Sequence, residues 1–154
     1  MNTAVRGAIA GALAATVWAV QQPLDKRSFG TRYDDVELLG KMVTRGPGWP
    51  VAGLVMHASN GAMFGGAVAL ARSRLGAPAM TAALGAAMAE NFGFWPLGVL
   101  IDRFHPARRE LEPLRGNRRA LAAATWRHAL FGVVLGALVK EWSGSVSAPI
   151  VELR

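Results

Sequence analysis

The side chains able to do chemistry are few, and they stand in unusual places. His57, Asn60, Glu90, Asn91, Arg127 and His128 each fall inside a stretch that is otherwise apolar. An ionisable group in such a stretch is costly, faces a partner or a wet cavity, and marks a candidate functional site. Three chemistries fit these residue types. In the plainest they clasp helices together: Glu90 pairs with Arg127, while His57 and Asn60 bond across to Asn91, because a buried charge needs a partner. In the second, carboxylate and imidazole groups form a proton or ion pathway. In the third, His57 and His128 are axial ligands to a haem, or join Glu90 as a two-histidine, one-carboxylate metal set. No catalytic residue stands out, since the G-x-S-x-G, H-E-x-x-H and Walker patterns are missing, and the expectation leans away from an enzyme. Without cysteine there are no thiolate metal sites, thiol nucleophiles or disulfides.

Missing charges define the elements that must hold these residues. The 154-residue chain is 52% hydrophobic with a further 18 glycines, yet it carries a net charge of +7. The two populations are segregated. Residues 7–24 and 46–71 hold no Asp, Glu, Lys or Arg, residues 75–101 hold only Glu90, and residues 120–139 hold only Arg127. A spanning helix needs about 20 mostly apolar residues, whereas a soluble helix shows charges along its outer face. The pattern predicts an all-α bundle of four transmembrane helices, with spans near 5–24, 49–71, 77–101 and 120–140. It forms a single domain over 1–142 with a polar tail at 143–154. The first run also resembles a secretory signal peptide, but no good A-x-A site closes it, which favours a retained helix.

Between the first two spans, Asp34-x-x-Glu37 has the form of a helix N-cap, and Val36, Leu39 and Val43 recur on one face before Gly46-Pro47. This predicts a short amphipathic helix on the membrane interface. The loops at 25–48 and 102–119 carry eleven Lys and Arg against five at the other end. Cytoplasmic loops carry that excess, so both termini are expected outside the cytoplasmic membrane. Topology and lipid headgroups account for the basic residues, and no nucleic-acid partner is implied.

The two halves of the chain echo one another. Trp18 precedes Asp25-Lys26 as Trp95 precedes Asp102-Arg103, and His57-x3-Gly61-x3-Gly65 matches His128-x3-Gly132-x3-Gly136. The match suggests two repeated helical hairpins. Gly7, Gly11, Gly61, Gly65, Gly132 and Gly136 lie on small-residue stripes that allow close helix packing; four such helices leave little room for a wide pore, which a homo-oligomer would supply. At 1.5 Å per residue from the loop ends, the polar side chains all fall about 12–18 Å deep, in one layer near mid-bilayer. Trp18, Trp95 and Trp126 lie just below it, with indole N–H groups that can bond its members, while Trp49 and Trp142 stand where interfacial anchors belong.

Gln21-Gln22-Pro23-Leu24-Asp25-Lys26-Arg27, Tyr33-Asp34-Asp35-Val36-Glu37-Leu38-Leu39-Gly40 and Trp126-Arg127-His128-Ala129-Leu130-Phe131-Gly132 resemble segments of small four-span integral membrane proteins of bacteria that have no established activity. The resemblance implies a fold and a location. It carries over no catalytic residue and no cofactor.

Overall fold

The computed structural model describes residues 1–144, with side chains as far as Glu141. The described residues are helical throughout, apart from turns and connecting loops. Helix α1 runs over Thr3–Phe29, α2 over Asp35–Val43, α3 over Trp49–Leu75, α4 over Ala79–Phe94, α5 over Gly98–Phe104 and α6 over Arg118–Gly144. A tight 3-10 turn at Trp95–Leu97 joins α4 to α5. Four stretches are long and apolar enough to cross a membrane: Thr3–Phe29, Trp49–Leu75, Ala79–Phe104 and Arg118–Glu141. Their outer faces expose large apolar side chains such as Val5, Ile9, Leu13 and Val17 along α1. A run of that kind suits a lipid-facing surface better than a water-facing one. The expected tail falls almost wholly outside the described residues, as does the side chain of Trp142.

The first span is longer than the charge pattern predicts. Helix α1 continues through Pro23 and takes in Asp25, Lys26 and Arg27 before Gly30, at φ 62°, closes it. Left-handed backbone favours glycine, and the Gly30 N–H returns to the Arg27 carbonyl. A proline within a helix removes one backbone bond, and here it does not end the helix. The consequence is that Asp25 sits on the bundle instead of in a loop.

Close backbone approaches at glycine hold the helices at both ends. At the end that carries the N-terminus, α1 and α3 meet backbone to backbone, and a Cβ at Gly11 would collide with the Gly61 carbonyl, as one at Gly65 would with the Gly7 carbonyl. Gly132 and Gly136 of α6 similarly receive the Leu84 and Met80 backbone of α4. At the loop end, α2 lies against α3 with Gly40 on the Trp49 carbonyl and Gly53 on the Val36 carbonyl. Helix α1 also packs on α6, whereas α3 and α4 touch only sparsely. Round the bundle the order is therefore α3, α1, α6, α4, with a gap between the last and the first.

The loops close the same end. Asp102 accepts from the Leu114 and Arg115 N–H groups at 2.8 Å each. Glu112 accepts from Thr31 Oγ1 at 3.0 Å and from the Arg32 N–H, and so ties residues 105–117 to the end of α1. His105 is buried, takes the Ala107 N–H on Nδ1 and donates from Nε2 to the Leu38 carbonyl at 3.0 Å. A loop expected only to signal topology thus pins α2 in place.

Candidate functional site: an arginine hub beside a mid-bundle cavity

Arg127 has no solvent exposure at all. Its Nε and Nη2 donate in a fork to Asp25 at 2.8 and 2.6 Å, Nη1 donates to Asp35 at 2.8 Å, and Nη2 also reaches the Tyr33 carbonyl at 3.0 Å. The planar guanidinium suits such a bidentate pair. Asp35 in turn accepts from the Tyr33 hydroxyl at 2.5 Å and from Trp18 Nε1 at 3.3 Å. Gln21 donates to Asp25 at 2.6 Å and accepts from Trp126 Nε1 at 3.2 Å. One arginine therefore joins α6, α1 and the start of α2.

This corrects the expected pairing. Arg127 does not meet Glu90, because consecutive helical positions point about 100° apart and Arg127 and His128 face different neighbours. His128 takes the cavity side: its Nδ1 donates to the Ala124 carbonyl at 2.7 Å, and its Nε2 lies 3.9 Å from Glu90. Nor do His57 and Asn60 bond to Asn91. The Thr125 hydroxyl gives its one proton to the Leu121 carbonyl, so it accepts from Asn91 Nδ2 at 2.9 Å. That fixes the amide and leaves Asn91 Oδ1 buried without a partner. His57 Nε2 is likewise buried and unpartnered.

His57, Asn60, Glu90, Asn91 and His128 do share one place, a cavity of about 500 Å³ bounded also by Trp18 and Asp35. Phe64 and Phe131 close it toward the tightly packed end, and Leu38, Leu39 and Leu114 cover it from the loops. The Trp18 indole meets both imidazoles edge to face, with ring centroids 5.0 Å from His57 and 4.7 Å from His128. A metal set does not form: among the described residues no three His, Asp or Glu side chains are grouped to hold an ion. For a bis-histidine haem, the common neighbour of the two imidazoles is an indole rather than an open slot.

Outside the spans, Tyr33, Asp34 and Glu112 are each shifted by their surroundings. Burial raises the Tyr33 phenol well above its ordinary value, and the Asp35 carboxylate beside it adds to the shift. Tyr33 thus stays a neutral donor to Asp35. Burial works against the Asp34 carboxylate, but the Lys26 ammonium at 2.8 Å and the Glu37 N–H outweigh it and hold the carboxyl below its usual range. That N–H bond is the expected cap of α2. Burial opposes Glu112 in the same way, and hydrogen bonds from Asn117, Thr31 and Arg32 prevail and lower it.

The sequence pattern missed Asp25, Asp35, Tyr33 and Gln21. A signal was present nonetheless. An arginine inside a span demands carboxylates, and a first span that ends at Leu24 leaves Asp25 and Asp35 in a loop. No family model matches this chain, nor does any curated protein or solved structure.

Proposed function

We propose that this chain is an integral membrane protein that binds a small molecule in its mid-bundle cavity, with the Arg127 hub acting as the clasp that holds the cavity's walls. Binding sites of this kind are largely apolar hollows of about 300–1,000 Å³ with a few convergent polar groups. One observation carries the reading: His57 and Asn91, 8% and 3% exposed, line a cavity of about 500 Å³ and each keeps a buried polar atom without a partner. Buried polar groups are nearly always satisfied, so unpaired ones beside a hollow call for an explanation. Proton exchange between Glu90 and His128 is compatible with this role, whereas the close backbone packing beyond Phe64 lends no support to a path across the membrane. In this reading the loops at 25–48 and 102–119 face the cytoplasm, supported by their excess of basic residues, and single cysteines introduced into this cysteine-free chain would report the side by labelling.

The test is mass spectrometry of the full chain purified within a disc of its native lipids. A small molecule should accompany the wild-type chain and be depleted from Asn60→Trp, which fills the cavity rim. An extract that is the same for both chains, or that holds membrane lipid alone, removes the reading.

A further inference from the structure

The cavity wall has a charge pattern that the rest of the chain lacks. The chain holds 17 Lys and Arg against 10 Asp and Glu. Among the described residues that line the cavity, however, the acids are Asp35 and Glu90, and there is no lysine or arginine. Arg127 stands outside the wall, and its one positive charge faces the two carboxylates of Asp25 and Asp35. Two carboxylates against one guanidinium leave that cluster at −1 when ionised. Glu90 adds a second negative group, whose ion-pair partner is only the His128 imidazole at 3.9 Å. In a low-dielectric interior an anion entering this space would be strongly repelled, and a cation attracted.

The rest of the wall agrees. Trp18, Tyr33, Phe64, Phe94, Trp95 and Phe131 place six aromatic rings on the cavity. Aromatic faces attract cations, most of all organic ammonium groups that shed water easily. Nearly buried His57, with its unpaired Nε2, lies on the same wall and shows that the polar groups there are not satisfied by one another. Access is lateral. Helices α3 and α4 touch only sparsely, both line the cavity, and the side chain of Glu90 on α4 is 42% exposed. A bare carboxylate at that depth is expensive without a counter-charge.

Resting on the reading of the cavity as a ligand site, we propose that it binds a lipophilic organic cation, one positive charge on an apolar or aromatic body, which arrives from the bilayer between α3 and α4 and is balanced by Glu90 and Asp35.

The experiment measures binding to the full chain in lipid discs by tryptophan fluorescence, with empty discs as the control for partitioning. Three probes of similar shape are compared: tetraphenylphosphonium, its isosteric anion tetraphenylborate, and neutral triphenylphosphine oxide. The phosphonium should saturate a single site and bind at least about tenfold more tightly than either of the others, and Glu90→Gln should weaken it by about tenfold. Trp95→Leu should weaken it several-fold. Equal binding of all three probes overturns the cation assignment and leaves the cavity as a neutral site. Preference for the borate, or an unchanged affinity in Glu90→Gln, also overturns it. If no probe binds, this proposal fails, whereas the ligand-binding reading is decided by the co-purified small molecule. The probe comparison uses the unmodified chain, so it decides the matter even where Glu90→Gln lowers stability.

Discussion

The two ends of this bundle are held by different means. At the end that carries the N-terminus, Gly7 and Gly11 of α1 interlock with Gly61 and Gly65 of α3, and the helices touch through their backbones with little side chain between them. At the loop end α1 is joined instead to α6 and to the start of α2, by one buried guanidinium, two carboxylates and a phenol. In lipid, where apolar burial gives helices no reason to associate, close packing and polar bonds are the available forces. The chain packs backbone on backbone at both ends, as Gly40 and Gly53 show for α2 on α3, and adds the buried polar network only at the loop end. Packing leaves no space, whereas a polar network fixes a few points and lets a cavity lie next to them. Position without filling is what a binding site requires.

The comparison breaks most completely at the hub. Arg127→Leu leaves Asp25 as an unpaired buried charge, and removing one member of a buried ion pair costs about 3–5 kcal/mol. Thermal denaturation of the chain in lipid discs should show that loss, and Asp25→Asn should show a large part of it. Loss below about 1 kcal/mol for Arg127→Leu would mean that the hub is not the clasp. The packed end should yield next. Gly11→Val drives a side chain into the Gly61 carbonyl, and overpacking costs about 1–3 kcal/mol. Its signature is a loss of stability that persists at any pH, and equal tolerance of Val at Gly11 and at Gly85, which has open space around it, contradicts the contrast.

The smallest effect separates the ends by pH. Tyr33 is the only tyrosine in the chain, so its ionisation can be followed by ultraviolet absorbance. Its folded pKa is raised above the unfolded value, chiefly by burial and then by Asp35. The sign follows from the protonated form being the bound one: the contribution is full below the unfolded value near 10 and fades as pH rises toward the higher folded value. Phenolate absorbance should therefore emerge only above the ordinary range, together with unfolding of the loop end. Ionisation at the ordinary value in a folded chain shows that the Tyr33 hydroxyl is not committed to Asp35.

Much of this was legible in the sequence. Runs without charge located four helices, and Asp34-x-x-Glu37 located the start of α2, since both are local properties of chain composition and capping. Counting sets His57, Asn60, Glu90, Asn91 and His128 at similar depths, because each helical residue advances a fixed distance along its axis, and these five line one cavity. Depth is a one-dimensional quantity that counting can supply. Direction is not, and Arg127 shows the difference. It lies at the depth of its neighbours but turns away from them toward Asp25 and Asp35, 102 and 92 residues distant in the chain.

The sequence by itself determined that the chain forms apolar helices, roughly where each begins, and which costly side chains lie near their middles. Only the tertiary structure decided which of those side chains meet, because pairing depends on how each helix is rotated about its axis and on which neighbours it has. It also revealed the cavity. A hollow is a property of what several segments fail to fill together, and no single segment carries a sign of it.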